Sequence, residues 1–548
     1  MFRTRRALAA LAALGAATAG LAACGGDDDD GGGGGDGPGT SEVTGEAFTM
    51  GTTDYDVTAT DPAGSYDLAS SFLHYQIYET LLTVPAGSNE IQGDAAESCE
   101  YEDPQNPVRL VCTLRDGLTF SNGDELTSSD VKFSLERNIA IADPDGASGL
   151  LASIAKEGPE PGTIVVDPAA IETPDPQTVV FNLNHPDTTF QYILTHSSAS
   201  IVDEDVFPAD ELLADEEVIG SGPYTLDEFT NKDTAVLTAN AEYSGERKSQ
   251  VPQVFVNYYQ RTSALKDAIE NGEIQLAYRS LSPTETNDLR ENDEVEVIDG
   301  DGAEIRYWVW DLDNEVAQDP AVRQAVAQIV DRDAIAQDAY ADTVDPLYSI
   351  VPDGFPGHTE AFQEQYGEPN VQAAEQLLNE ANVDTPVELT MAYTPNHYGP
   401  NAVDEASEFE RQLEESGLFE VTMESAEWEQ YQGLYDENAY DLFQLGWFPD
   451  FLDADNYLSP FIVDGGFFAN GYSNPQVNQL VTQEQSTAEP AVRESAFRKL
   501  QQITAEDVPL VPTWVGKNTA VVAPGIEGVE DTLDPAHIFR LWMITYNP

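Results

Sequence analysis

The stretch LGWFPDFLDADNYLSPF, Leu445 to Phe461, sets five aromatic residues, three aspartates and two prolines in seventeen positions. It is too irregular for an amphipathic helix and too acidic for a plain core strand. The segment that runs into it, YDLFQLGW (Tyr440–Trp447), reads as a strand, so the irregular stretch begins where a strand ends. Outward from there, strand-like and helix-like segments alternate along the chain, which predicts an α/β fold.

The helices carry start signals. SSDVKFSLERN follows Thr127, with Asp130 three residues on as a capping box and Val131 and Leu135 one turn apart. DPAVRQAVAQIVDRDAI places Asp319 at an N-cap and Pro320 at the first helical position, with Val322, Val326, Ile329 and Val330 on one face. NPQVNQLV and EPAVRESAFRKLQQI begin in the same way at Pro475 and Pro490, the second with an approximate stripe of Val492, Phe497, Leu500 and Ile503. These stripes predict core. TVVFNLN, TAVLTAN and VELTMAY are further strands. A chain of 548 residues exceeds the roughly 250 to 300 at which a single core stops growing, so more than one core is expected. No solenoid-length repeat is present.

At the N-terminus, Arg3, Arg5 and Arg6 precede a small apolar run that ends LAAC, Leu21 to Cys24, and then GGDDDDGGGGGDGPGT. Residues 1–23 read as a signal peptide, and residues 24–45 as a flexible, self-repelling Gly/Asp tether. LAAC resembles the lipobox of bacterial lipoproteins, which makes Cys24 the lipidation candidate. Of the three cysteines, Cys99 and Cys112 flank EYEDPQNPVRLV, whose DPQNP supplies turn residues between two strand-like segments. Pairing those segments sets the two cysteines roughly opposite, either as a cross-strand disulfide or as two free buried thiols.

Composition excludes several functions. With 99 acidic against 24 basic side chains the net charge is −75, so general attraction to nucleic-acid phosphates is ruled out. The 41% of hydrophobic residues still indicates a globular chain, and the acid is spread along its length as a solvated surface. HExxH, G-x-S-x-G, P-loop and EF-hand patterns are absent and there are six histidines, so no enzyme, cofactor or resident metal is expected. The residual catalytic reading is a secreted hydrolase using paired carboxylates, which this abundance of acid makes uninformative.

Six segments in order, CTLRDGLTFSNGDELTSSDVKFSLERN, IGSGPYTLDEF, DPAVRQAVAQIVDRDAI, YDLFQLGWFPDFLDADNYLSPF, GYSNPQVNQLV and AEDVPLVPTWV, resemble the extracellular solute-binding proteins of oligopeptide and dipeptide ABC transporters. The likeness runs from about residue 46 to the C-terminus. It implies a two-lobed periplasmic-binding-protein-like (Venus flytrap) α/β fold with mixed sheets. Residues 46–79, 201–300 and 505–548 would form lobe I, residues 80–200 a subdomain inserted in it, and residues 301–504 lobe II. It further implies a monomer on the outer face of the cytoplasmic membrane, lipid-anchored, which captures peptides and passes them to permease and ATPase subunits. Members binding nickel complexes, opines or oligosaccharides keep non-peptide solutes open as cargo.

The resemblance assigns the opening stretch to the cleft. Main chain around Gly446 would pair with an extended peptide, Asp450 would receive its ammonium, and Trp447 and Phe448 would supply aromatic walls, core packing being the alternative for both rings. A charge-assisted bond from ammonium to carboxylate is stronger in a closed, water-poor cleft than a neutral one. Asp453 and Asp455 read as turn or N-cap residues. From the opposite lobe, Ser65 and Tyr66 are expected contacts. Arg306 and His397 are candidates to receive a ligand carboxylate.

Overall fold

The computed structural model describes residues 45–54, 56–279, 281–399 and 401–548. The signal sequence, Cys24 and the tether up to residue 44 lie outside the described residues.

Two long strands, Glu296–Trp310 and Leu510–Val522, organise the molecule. They run antiparallel and pair twice, Glu296–Asp301 against Val522–Lys517 and Ile305–Val309 against Val515–Leu510, with an irregularity between Asp301 and Ile305. The first pairing adjoins Leu276–Tyr278, Phe48–Thr52, Gln253–Tyr258 and the hairpin Tyr224–Thr230/Thr234–Ala239. The second adjoins Leu442–Trp447, then Val387–Tyr393 and Phe419–Ser425. A single mixed sheet of eleven strands therefore runs through both halves. Its crossing point needs Gly302, where a Cβ would lie 2.2 Å from the Gly516 carbonyl oxygen. The division expected near residue 300 falls inside the first long strand. The second, within 505–548, pairs in both halves.

The aromatics of the two halves are buried in two large cores, one of them shared. Phe48, Met50, Val254 and Leu276 pack in a core that continues to Tyr431, Phe461 and Leu500, while Trp308, Trp310, Val326, Phe409 and Leu413 form another. A separate four-stranded sheet, in the order Ala96–Tyr101, Arg109–Leu114, Thr178–Asn182, Ile171–Asp175, carries the helix Ser128–Ile141. Its core draws on residues from Leu81 to Ile201 and on one outsider, Phe451. Cys99 faces Cys112 across the first two of these strands, and a disulfide joins them.

The capping box at Thr127 and Asp130 is present, and the helices beginning at Pro475 and Pro490 extend to Gln485 and Asp507. Two expectations need correction. The continuous pattern from Pro320 to Ile335 breaks into Pro320–Ile329 and Arg332–Tyr340, because Val330 leaves the helical region and the Asp331 side chain caps the second helix at Ala334 N. Val492 is exposed, so the Pro490 helix is buried through Ala496, Phe497, Leu500 and Ile503. Among the described residues no helix is long and apolar enough to cross a membrane.

Candidate functional site

The strand Leu442–Trp447 is paired along its full length on one edge only. Ile305 to Trp310 cover its inner edge, whereas the outer neighbour, Val387–Tyr393, pairs with it only at Leu442 and Phe443. From Gln444 to Trp447 the outer edge has no strand partner among the described residues. Two phenols occupy it instead. Tyr431 donates to the Gln444 carbonyl at 2.8 Å, and the Tyr398 hydroxyl reaches the main chain of Gly446. An edge with free main-chain groups is a template for an added strand.

Past Trp447 the chain turns and Asn456, 3% exposed, ties the turn together. Its Oδ1 accepts from Trp447 Nε1 at 3.1 Å and from the Asp450 backbone N–H at 2.8 Å, while its Nδ2 donates to Asp450 Oδ2 at 3.2 Å. Tyr66 donates its hydroxyl to Asp450 Oδ1. Desolvation of that hydroxyl, and then the Asp450 charge, hold the phenol well above its usual pKa, so it remains a donor. The backbone of Ser65 and Asp67 is extended on either side of Tyr66. Two extended main-chain segments thus meet at Asp450, and the half-buried carboxylate between them has only neutral hydrogen-bond partners.

Beyond Phe448 a cleft of 390 Å³ opens, lined by Arg279, His397, Tyr398, Trp514 and His537 among others. Phe448 sits against His537, centroids 3.9 Å apart, and 5.1 Å from the Arg279 guanidinium. Arg279 has φ +64°, a costly conformation for a residue with a side chain, and its Nε lies 3.4 Å from Asp54 Oδ2. Both ring nitrogens of His537 lack a hydrogen-bond partner among the described residues, and burial, then the Arg279 charge, keep the ring neutral. Trp514 is fixed by Glu405, which is 0% exposed and accepts from Trp308 Nε1, Tyr340, Thr513 and Trp514 Nε1 at 3.2, 2.8, 3.1 and 2.8 Å.

The residues expected at the site are distributed as follows. Gly446, Trp447, Asp450 and Tyr66 come together. Trp447 combines both readings, since its ring packs edge-on against Phe461 at 5.0 Å while remaining half-buried. Phe448 lines the cleft. Ser65 is buried, 4% exposed, and offers no accessible contact at the site. His397 lies flat on Trp428, centroids 3.8 Å apart, and desolvation, then the Arg306 charge, bring its pKa down to about 4. At neutral pH it offers a carboxylate no charge. Arg306 lies under the cleft wall, 1% exposed. Asp453 caps the short turn of helix Ala454–Tyr457, and with Asp455 is buried away from the cleft. Sequence reasoning missed Asn456, Arg279, Tyr398, Trp514 and His537. The scarcity of basic residues was the one signal that could have drawn attention to Arg279.

No group of three or more His, Cys, Asp or Glu side chains among the described residues could hold a metal ion. The arrangement is suited to binding: an open strand edge, a carboxylate facing it, and an aromatic-walled cleft alongside.

Comparison with known proteins identifies the family and the fold. The sequence profile described as bacterial extracellular solute-binding proteins, family 5 Middle, matches residues 90–468. The dipeptide-binding protein DppE of Bacillus subtilis (strain 168) is 22% identical over 434 residues, 76% of this chain and 78% of DppE. Among solved structures, the periplasmic binding protein DppA of Helicobacter pylori in complex with the peptide STSA superposes with a TM-score of 0.73 at 21% identity, covering 92% of this chain and 98% of that one. The binding protein AgaA of A. tumefaciens R10 in complex with agropinic acid gives 0.71 at 20% identity, covering 92% and 99%. The fold is that of the two-lobed periplasmic binding proteins. This chain belongs to the bacterial extracellular solute-binding proteins of family 5.

Proposed function

We propose that this protein is the receptor of an ABC importer, anchored by a lipid on Cys24 to the outer face of the cytoplasmic membrane, which captures di- or oligopeptides and delivers them to a permease. In this reading residues 46–79, 201–300 and 505–548 form one lobe with residues 80–200 inserted, and residues 301–504 the other. It acts as a monomeric carrier and not as an enzyme. Closure is a population shift driven by a ligand that touches both lobes.

The observation that carries the reading is Asp450. It stands at the end of a strand edge, between Tyr66 and Asn456, with no cation of its own among the described residues. A peptide lying along Gln444–Trp447 would pair by main chain, which is indifferent to its side chains, and would bring its ammonium to this carboxylate. The peptide names of DppE and of the STSA complex support that cargo. The agropinic acid complex of AgaA supports a second reading, in which the same fold takes a non-peptide solute.

Native mass spectrometry of the soluble part, purified from a peptide-rich medium, tests the proposal. Co-purifying masses that fragment as short peptides are expected. A single non-peptide mass would replace the cargo with that solute.

A further inference from the structure

Phe448 and Phe451 are neighbours in sequence that belong to different parts of the molecule. Phe448 lies against His537 in the cleft wall, whereas Phe451, 7% exposed, enters the core of the domain built on the four-stranded sheet, whose other buried members all lie between Leu81 and Ile201. Its ring centroid is 6.2 Å from that of Tyr192, with the planes tilted by 31°. No strand pairing joins this domain to the eleven-stranded sheet among the described residues. Two backbone hydrogen bonds tie the same domain to the end of the Pro475 helix and the residues after it. Thr188 N–H donates to the Gln485 carbonyl at 2.9 Å, and Ala488 N–H donates to the Pro104 carbonyl at 2.8 Å.

The residue before Phe451 is Asp450. From Phe448 to Asp453 the chain is in neither helix nor strand, so no ladder of backbone bonds holds the Asp450 carboxylate in place. Asn456 holds it from one side. Phe451 is the other fixed point: consecutive Cα atoms are about 3.8 Å apart, so a ring that leaves its core carries Asp450 with it. A binding group must be held to within about 0.5 Å of its productive position to act at full strength. Gln485 links the two anchors. Its carbonyl receives Thr188, and its Nε2 donates at 3.1 Å to Oδ1 of Asp455, in the turn of helix that also carries Asn456.

We propose that Phe451 is a positioning residue for Asp450: its seat in the core of the neighbouring domain fixes the carboxylate for a ligand ammonium, and capture of the amine in turn holds that domain in place. The inference rests on the peptide-receptor reading and gives the domain within residues 80–200 a part in it. Coupling of this kind is reciprocal, so whatever factor the seated ring adds to amine affinity, the bound amine adds to the seating.

The test is isothermal titration calorimetry with alanine peptides of increasing length, each with a free and an N-acetylated amine, on the wild-type protein, Phe451→Ala and Phe451→Leu. For the best-bound length the free amine should lead roughly 30-fold or more in the wild type. Phe451→Ala should cut that lead about 5-fold or more by weakening the free amine alone, and Phe451→Leu, which keeps an apolar side chain in the seat, should restore most of it. A ring that only supports the fold would weaken both forms alike, so an equal loss, or an unchanged lead, would overturn the proposal. Should Phe451→Ala not fold, amide hydrogen exchange of the wild type decides. Exchange at Thr188 and Ala488, whose N–H groups cross between the two parts, should slow with the free-amine peptide bound and not with the acetylated one at equal saturation. Equal slowing by both forms, or none by either, would contradict the coupling. Equal affinity of the wild type for both forms would remove the ammonium role of Asp450 and the positioning with it, while binding of no alanine peptide would overturn the peptide-receptor reading beneath them.

Discussion

Asp450 and Asp453 stand three residues apart and meet opposite fates. Asp453, 2% exposed, is gripped by Arg493 through two bonds of 2.7 Å, and Glu484 joins the same guanidinium at 2.9 Å. Its charge is cancelled within the molecule and holds the turn of helix to the Pro490 helix. Asp450 is half-buried, and among the described residues its carboxylate accepts from the Tyr66 hydroxyl and the Asn456 side-chain amide. Neither of these partners is a cation, so its charge is not cancelled by them. In a chain with 99 acidic and 24 basic residues, the lesson is that a carboxylate's role is read from its partner and not from its sign.

The contrast can be broken from either side. Removing the built-in cation with Arg493→Ala leaves Asp453 buried without its ion-pair partner, and unfolding free energy should fall by about 3 to 5 kcal/mol in urea titrations. Peptide affinity of the protein that remains folded should barely change. The reverse is expected at the other aspartate. Asp450→Ala should weaken free-amine peptides by about 2 to 5 kcal/mol by calorimetry, while moving stability by no more than the ~1 kcal/mol of neutral hydrogen bonds.

A third carboxylate sharpens the comparison through pH. Glu79, 2% exposed, has its carboxyl pushed up to about 8, first by burial and then by Asp94, with Arg247 opposing. Its folded pKa lies above the ordinary 4.5, so between these values the folded chain keeps a proton that the unfolded chain has lost. The stabilisation is complete below about pH 4.5 and is lost as pH rises toward 8. Glu79→Gln should therefore flatten the decline of stability across that window, by up to about 1.4 kcal/mol per pH unit. The smallest effect belongs to Asn456→Ala. Loss of the bonds to Trp447 and Asp450 should cost roughly 1 kcal/mol of peptide affinity, with the carboxylate itself still present.

What was legible in the sequence was local. The capping box at Thr127 and the proline starts at Pro475 and Pro490 located their helices, and turn chemistry at Asp103 to Pro107 set Cys99 opposite Cys112. Asp453 was readable as a cap because the capping bond lies two residues away. The break at Asp331 was not legible, because an N-cap aspartate inside an apolar stripe looks like one more polar residue on a helix. The remainder depends on contacts that leave no periodic trace. Arg493 reaches back forty residues to Asp453, Asn456 works across a turn, and His537 meets Phe448 from the far end of the chain. Arg306 was singled out from its segment alone, but that it lies buried opposite Gly446 and beneath Tyr398 follows only from the pairing of the strands.

The central claim is that Asp450 receives a ligand ammonium, and calorimetric titration of the wild-type protein with one peptide in free-amine and N-acetylated forms tests it most directly. Binding of the free amine, with the acetylated form roughly 30-fold or more weaker, is the predicted result. Equal affinity for the two forms would contradict it.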